Sequence, residues 1–340
     1  MRAAMASAIV GDDVFDEDPT IQRLEAQVAE MVGKDDAIYV PSGTMSNQIA
    51  IRLHCRPGDE FLCEEGSHIN NYEQAAHVQL SGVAPRPIRG EHGVLRANQL
   101  IGTIRPENEH CVRTRLVCIE NTHNRGAGRV QPLEVVEEIC DWAAENGLAL
   151  HLDGARLFNA VVATGILATD WARQFDTVSI CFSKGLGAPV GSALCGTAEM
   201  IHQARRHRKV LGGGMRQAGI IAAGALYALD HHVDRLAEDH EKAQRLAEAV
   251  RRTPGLELDP DLVETNMVFF RVPREMGFAA DFCTRLRASG IRMLPEGDGR
   301  IRAVTHLDVS MEQVDQACEA IHQVAIDAAS SVTAASETVA

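Results

Sequence analysis

A lysine follows one of the apolar segments of this chain and opens a glycine-rich turn. Lys184 lies just beyond Thr177–Phe182, which has the composition of a buried strand, and it leads into Gly185–Gly191. Desolvation at the end of a buried strand disfavours the ammonium and favours the free amine, which can attack a carbonyl carbon. An isolated lysine in such a place more often extends into solvent. Lys184 is therefore a candidate nucleophile, and the residues near it decide which role it has.

The glycines after this lysine have the spacing of a nucleotide-binding loop. Gly185, Gly187 and Gly191 form a GxGxxxG pattern. A dinucleotide loop leads into a helix whose N-terminus binds the pyrophosphate. Here Pro189 and the strand-like segment Ser192–Cys195 follow instead. The glycine pattern is therefore weak support for an NAD(P)-dependent dehydrogenase, which stays an alternative.

An aspartate and an arginine follow the preceding apolar segment. Asp153 comes directly after Leu148–Leu152, and Arg156 follows it after two residues. Ligands of open α/β sheets bind at the carboxyl ends of strands, although an aspartate here could also simply cap a helix. Together, Asp153 and Lys184 fit a site for pyridoxal phosphate (PLP). This cofactor needs an amine for its carbonyl and an acid for its ring nitrogen. A dehydrogenase would leave both residues unexplained.

A turn of small residues offers a place for the phosphate of such a cofactor. The segment Tyr39–Asn47 contains Gly43 and Thr44 at an expected helix start, where backbone N–H groups and the threonine hydroxyl favour an anion. An ordinary helix cap would have the same pattern. Two further candidates, His68 and His123, lie in loops rich in polar side chains, although a lone histidine is usually structural.

Short apolar segments predict the strands that position these residues. They are Ala37–Val40, Arg115–Ile119, Leu148–Leu152, Thr177–Phe182 and Ser192–Cys195. Nearly continuous apolar strands are buried on both faces, and helical patterns at Ser46–His54 and Leu133–Asn146 lie between them. This alternation predicts an α/β fold with a mostly parallel sheet.

The pattern changes near residue 230, where a long polar helix over Asp234–Arg252 is expected. Strands at Val268–Val272 and Arg300–Val304, with one helix between them and one after, predict a smaller α+β domain. We expect an N-terminal arm over residues 1–19, a large domain over 20–233 and a small domain over 234–327. The small, polar residues 328–340 are expected to form a disordered tail.

Composition excludes several classes of protein. The 340 residues carry 33 basic and 47 acidic side chains, a net charge of -14, which disfavours nucleic acid and anionic membranes as partners. No run of about 18 apolar residues predicts a membrane span or a secretory signal. The nine cysteines are scattered and form no CxxC pair. They predict free thiols, no metal site and a cytoplasmic protein.

Seven blocks of the sequence resemble the low-specificity L-threonine aldolases, which belong to the threonine aldolase and aromatic amino acid beta-eliminating lyase group. In chain order the blocks are SGTMSNQ, SHINNYE, ENTHN, HLDGARLFNA, FSKGLGAPVGS, LGGGMRQAG and IRAVTHLD. The resemblance extends from about Gly11 to Asp308 and covers most of the chain. It implies fold type I of the PLP enzymes, the aminotransferase-like fold, with a seven-stranded type of sheet in the large domain. It also implies PLP-dependent cleavage of L-threonine or L-allo-threonine to glycine and acetaldehyde.

The resemblance also implies which residues bind the cofactor. By position in the matching blocks, Lys184 would carry PLP as a Schiff base and Asp153 would meet the pyridine nitrogen. Gly43 and Thr44 would hold the phosphate, and His68 would stack on the ring.

Substrate contacts and assembly are implied in the same way. His123 would lie near the substrate hydroxyl, and Arg156 and Arg302 would clamp the substrate carboxylate. Arg216 would reach a phosphate across a subunit interface, since the family forms homotetramers with shared active sites. The base that removes the hydroxyl proton is left open among His123, His68 and an ordered water.

One expected feature of the family is not found near Met1. Members carry a Ser-Asp-Thr segment whose serine helps bind the substrate carboxylate, and Ser7 belongs to a later stretch. We expect an upstream start codon or a site with one contact fewer. Another PLP-dependent beta-eliminating lyase and a catalytically impaired cofactor-binding member therefore remain alternatives.

Overall fold

The chain folds into two compact units, which are described separately. A computed structural model describes residues 1–337. The first unit comprises Met1–Arg125 and Val130–Arg235, and the second comprises Gly126–Arg129 and the residues from Leu236 onward. The short segment joins the second unit because the Gly128 carbonyl accepts a 2.8 Å hydrogen bond from the Thr265 hydroxyl. Compactness does not show which segments fold alone, so the domain bounds expected from the sequence stay a prediction.

A seven-stranded sheet forms the centre of the first unit. Its strands are β1 Asp36–Val40, β2 Asp59–Glu64, β3 Ala84–Ile88, β4 Arg113–Glu120, β5 Ala149–Gly154, β6 Thr177–Cys181 and β7 Ser192–Gly196. Their order across the sheet is β1-β7-β6-β5-β4-β2-β3. The pairs from β6 to β3 are parallel, whereas β7 runs antiparallel to both β1 and β6. This arrangement confirms the predicted α/β fold with a mainly parallel sheet.

Two strands of this sheet have no counterpart among the predicted ones, and their sequences explain why. β2 begins with Asp59 and Glu60, which do not resemble a core strand, yet both are buried. They are neutralised by Arg113, at 2.7 Å from Asp59, and by Arg105, at 2.9 Å from Glu60. β3 has the sequence APRPI, and proline restricts a strand to the edge of a sheet, where β3 lies.

Helices connect and cover these strands. Those of the first unit are α1 Arg2–Ala6, α2 Pro19–Val32, α3 Gly43–His54, α4 His68–Asn71, α5 Ala76–Ser81, α6 Ala97–Leu100, α7 Leu133–Glu145, α8 Leu157–Thr164, α9 Ala168–Ala172, α10 Ala198–Val210 and α11 Gly219–His231. The start of α2 shows how the sequence sets these limits. The Asp18 side chain accepts hydrogen bonds from the Thr20 and Ile21 amides, and Pro19 occupies the first helical turn.

The second unit is an antiparallel sheet packed with three helices. Its strands are β8 Glu257–Leu258, β9 Met267–Arg271, β10 Leu294–Glu296 and β11 Arg300–Val304, in the order β10-β11-β9-β8. Its helices are α12 Leu236–Arg252, α13 Ala279–Ala288 and α14 Met311–Glu337. Buried Phe270, Phe282, Leu286, Ile301 and Ile321 belong to one apolar core that joins both layers. The α+β character expected for this part of the chain is therefore present.

The end of the chain differs from the expectation of a disordered tail over 328–340. Helix α14 continues to Glu337, and residues 338–340 lie outside the described part. Alanine is the strongest helix former, and the stretch after residue 327 contains two alanine pairs. Small polar composition alone was therefore a poor guide to disorder here. Among residues 1–337, no helix combines the length and the apolar character that crossing a membrane requires.

Candidate active site

Three adjacent parallel strands bring charged side chains to one edge of the first sheet. Glu120, the last residue of β4, is the register partner of Asp153 on β5. Lys184 follows the end of β6, in a turn closed by a 2.9 Å hydrogen bond from the Gly187 amide to the Lys184 carbonyl. Because the carboxyl ends of parallel strands meet at the same edge, the chain positions Asp153 and Lys184 as neighbours.

Asp153 is the buried anion of this edge. Only 5% of the residue is exposed. Burial raises the pKa of its carboxyl. The charge of Lys184, a hydrogen bond from Asn47 and the charge of His68 lower the pKa by more than burial raises it, so it lies below its ordinary value. A buried carboxylate that stays ionised can hold a proton on a heterocyclic nitrogen opposite it.

The side-chain amide of Asn47 fixes this aspartate. Its Nδ2 donates to Asp153 Oδ2 at 2.8 Å and to Glu73 Oε1 at 2.9 Å. Its Oδ1 accepts from His151 Nε2 at 3.1 Å and from Ser179 Oγ at 3.2 Å. Burial lowers the pKa of His151 to about 4, so this ring is neutral and carries its proton on Nε2. All hydrogen-bonding capacity of the Asn47 amide is therefore used, and the amide has one possible orientation.

His68 begins α4 and is held by two carboxylates. Its Nδ1 lies 3.0 Å from Glu73 Oε1, and its backbone amide donates to Glu120 Oε2 at 2.7 Å. The hydrogen bond to Glu73 is the main cause that raises the pKa of His68 above its ordinary value. The ring lies 5.7 Å from that of Tyr72. These contacts orient the imidazole, whereas its stacking on a cofactor ring stays a prediction.

His123 lies buried between two acidic side chains. Its Nε2 is 3.0 Å from Glu64 Oε2 and 4.0 Å from Glu120 Oε2. Burial lowers the pKa of His123, but the charge of Glu120 and the hydrogen bond and charge of Glu64 outweigh it and raise the pKa. A side chain at Gly93 would overlap the His123 ring, so the glycine permits this packing. The result is a buried histidine held between two carboxylates.

Arg156 has a buried donor group that points to a missing acceptor. Its Nη2 lies 3.4 Å from Asn124 Oδ1, whereas its buried Nη1 has no hydrogen-bond partner among the described residues. Burial also lowers the pKa of the guanidinium. An unsatisfied buried donor costs about 1–3 kcal/mol, and a carboxylate is the partner that best satisfies a guanidinium. Arg302 lies on β11 of the second unit, so the predicted pairing with Arg156 stays a prediction.

The predicted phosphate site is the start of α3. Ser42 caps this helix, and its Oγ accepts from the Met45 amide at 3.2 Å. Gly43 and Thr44 are the first two helical residues, and amides at these positions have no acceptor within the helix. Their N–H groups and the helix dipole favour an anion here.

Arg216 lies on the surface of the first unit. Its guanidinium forms an ion pair with Asp12 and lies 5.9 Å from the centre of the Phe15 ring. Its carbonyl accepts a 2.9 Å hydrogen bond from the Asp13 amide. These contacts are within one chain, and the predicted reach to a neighbouring subunit's phosphate stays a prediction.

Sequence reasoning missed the residues that support the candidate site. Asn47 and Glu73 lay inside the motifs SGTMSNQ and SHINNYE, but no role followed from the motifs themselves. His151 precedes Asp153 by two positions on β5, so the two side chains share a face of the strand. The alternation of side chains along β5 could have indicated that His151 lies near the site. Within residues 1–337, no group of three or more His, Cys, Asp or Glu side chains could hold a metal ion.

The donor set at this edge fits PLP. The half-buried amine of Lys184, the ionised Asp153 and the start of α3 match an aldehyde, a protonated ring nitrogen and a phosphate. A dinucleotide fits less well, because Gly191 leads into β7 and no helix begins at the end of the glycine loop.

Comparisons with known proteins support the same family. A beta-eliminating lyase family model matches residues 1–273. The low-specificity L-threonine aldolase of Escherichia coli (strain K12) is 42% identical over 315 residues, 92% of each chain. Low-specificity L-threonine aldolase 1 of Arabidopsis thaliana is 39% identical over 319 residues, 92% of this chain and 89% of the relative.

A solved structure shares the fold. The threonine aldolase of Leishmania major aligns with a TM-score of 0.80 at 23% identity and covers 94% of this chain and 92% of its own. At that identity the likeness concerns the fold alone. The family model and the curated relatives each match most of the sequence, and the fold agrees with them. This chain belongs to the beta-eliminating lyase family.

Proposed function

We propose that the protein is a PLP-dependent aldehyde-lyase that cleaves L-threonine and L-allo-threonine to glycine and acetaldehyde. The observation that carries the proposal is the buried Asp153, which accepts a hydrogen bond from Asn47 and lies on the strand next to the one that precedes Lys184. Similarity to two curated threonine aldolases over most of the chain supports the substrate. Family membership supports PLP as the cofactor.

Lys184, Asp153, Gly43 and Thr44 would hold the cofactor. When bound, PLP supplies the electron sink for the bond that breaks between Cα and Cβ of the substrate. Asp153 would keep a proton on the ring nitrogen, and the hydrogen bond from Asn47 holds Asp153 in place. The N-terminus of α3 would stabilise the negative charge of the phosphate. Lys184 would supply the amine that holds the cofactor through its carbonyl group.

Arg156 would orient the substrate through its carboxylate. Its buried Nη1 lacks a protein acceptor, and a guanidinium pairs with a carboxylate through two parallel hydrogen bonds. Arg302 of the second unit is the proposed second contact. Fixing the carboxylate would set the orientation of the bonds at Cα, of which the Cα–Cβ bond breaks in this reaction.

His123 is the proposed acceptor of the substrate hydroxyl proton. Glu64 and Glu120 raise its pKa, so the ring binds a proton strongly once it has taken one. Only the neutral form of His123 can accept a proton, and because the pKa is raised, the fraction in this form increases only as the pH rises. His68, whose Nδ1 is engaged by Glu73, is assigned to ring contact instead.

The proposal includes a homotetramer with shared active sites and a cytoplasmic location. The glycine run before Arg216 and the exposure of that arginine support a contact between subunits. Nine free cysteines support a reducing compartment.

The cofactor linkage provides the test. Purified protein should be yellow, borohydride should bleach it, and peptide mapping should find the pyridoxyl group on Lys184. Labelling of Lys209 or Lys34 instead would contradict the site. Release of glycine and acetaldehyde from both threonine diastereomers tests the reaction, and a labelled protein that releases neither product would overturn it.

A further inference from the structure

Ser192 lies at the same edge of the sheet as the proposed cofactor site. It is the first residue of β7, and its register partners are Val40 at the end of β1 and Cys181 at the end of β6. Because β7 runs antiparallel to both neighbours, its start meets their carboxyl ends. It is the last residue of the block FSKGLGAPVGS, but no role for it followed from the motif itself.

The hydroxyl of Ser192 is buried without a partner. The residue is 0% exposed, and its Oγ has no hydrogen-bond partner among the described residues. Nearby buried hydroxyls are satisfied, since Ser46 Oγ and Ser179 Oγ lie 2.5 Å apart. Buried polar groups without a partner are rare and costly, so this hydroxyl calls for a bound group.

The start of α3 lies close to this hydroxyl. A Cβ built on Gly43 would lie 3.6 Å from Ser192 Oγ. In the next turn, Ser46 Oγ lies 3.4 Å from the carbonyl of Ala193, which fixes α3 against β7. The Ser192 hydroxyl therefore lies beside the first turn of α3, where the N–H groups of Gly43 and Thr44 lack acceptors within the helix.

We propose that Ser192 Oγ donates a hydrogen bond to the phosphate of the cofactor and completes the cradle formed by Gly43 and Thr44. This inference rests on the proposed function, which places PLP at this edge. A tetrahedral oxyanion accepts several hydrogen bonds, and a hydroxyl adjusts its proton to suit. Two backbone amides and one buried hydroxyl give such an anion three donors from two elements of the fold.

The test compares PLP with pyridoxal, which has the same ring and aldehyde but no phosphate. Ser192→Ala should weaken PLP binding to the apoprotein by about tenfold to a hundredfold, the effect of one hydrogen bond to a charged group, and should leave pyridoxal binding unchanged. The matched control is Ser46→Ala, which removes a buried hydroxyl that bonds to protein. It should change the binding of both aldehydes by the same factor.

A second measurement tests phosphate binding without the aldehyde group of the cofactor. Inorganic phosphate should raise the melting temperature of wild-type apoprotein, and the rise should be smaller in Ser192→Ala. Equal losses for PLP and pyridoxal, or no loss for either, would overturn the role of Ser192. Borohydride mapping of the wild type separates this from a failure of the proposed function. If the pyridoxyl group is on Lys184 and the variant loses PLP and pyridoxal binding equally, only the proposed role of Ser192 is refuted. If the group is on another lysine, the proposed cofactor site is refuted as well.

Discussion

Asn47 Nδ2 lies 2.8 Å from Asp153 Oδ2, and this nitrogen also donates to Glu73. Glu73 is the carboxylate that engages His68. The proposed partner of the ring nitrogen and the proposed stacking residue are therefore joined through one amide. A change at Asn47 should affect both ends of this chain of hydrogen bonds.

Asn47→Asp should weaken PLP binding by about tenfold or more. The substitution replaces the amide donor with a third carboxylate between Asp153 and Glu73. Because like charges repel, the pKa of Asp153 should rise, and its contact with the ring nitrogen of PLP should be lost. Gln48→Glu is the matched control, because Gln48 donates to Glu73 at 2.7 Å and does not hydrogen-bond to Asp153 in the described part of the chain. Titration of apoprotein with PLP measures both. Equal losses would show that Glu73, rather than Asp153, carries the effect.

Glu64→Gln should shift the acidic limb of the kcat/KM profile to lower pH by about one unit. Glu64 raises the pKa of His123, so removing its charge lets His123 become the neutral base at lower pH. Rates measured between about pH 5 and pH 9 test this.

The control for this shift is Glu65→Gln, which removes an exposed carboxylate that pairs with Arg89 at 3.7 Å. It should leave the limb in place. A Glu64→Gln profile that does not move, or that moves to higher pH, would exclude His123 as the group that titrates on that limb.

Gly191→Ala should lower both stability and cofactor binding. Gly191 has a φ of 108°, and a side chain there would overlap the Tyr39 ring, whose hydroxyl donates to the Val190 carbonyl at 3.3 Å. We expect a loss of about 2–4 kcal/mol in the free energy of unfolding, from backbone strain and overpacking together.

Gly165→Ala separates these two causes. Gly165 has a φ of 74° but no heavy atom within 4 Å of a built Cβ, so only the backbone strain of about 1–2 kcal/mol remains. Urea unfolding of both variants measures the difference. If Gly165→Ala costs as much as Gly191→Ala, contact with Tyr39 contributes nothing.

Mixing two inactive variants should restore part of the activity if subunits share sites. Lys184→Ala lacks the amine and Arg216→Ala lacks the proposed phosphate contact, so a hybrid oligomer contains some sites with both residues intact. Activity after denaturation and joint refolding measures the recovery. Native mass spectrometry must show mixed oligomers, and no recovery in their presence would place Arg216 outside the neighbouring site.

The sequence allowed the fold class, family and cofactor to be predicted correctly, because apolar strands and matching blocks are local signals. β2 and β3 were not predicted, since buried Asp59 and Glu60 are compensated by distant arginines and prolines mark an edge strand. The Asn47–Asp153 contact was missed for a related reason. It joins residues far apart in sequence, and the packing of α3 against the sheet brings them together. The individual residue roles stay predictions.

We expect the position of the antiparallel strand β7 to affect the order in which the sheet folds. β1 is an edge strand whose neighbour in the sheet is β7, and β7 forms a hairpin-like pair with β6. During synthesis β1 emerges early but has no partner until most of the first unit has been made. Closing so long a loop is entropically costly and slow. The start of α3, which follows β1, therefore meets the lysine turn after β6 only when the last strand of the sheet is in place.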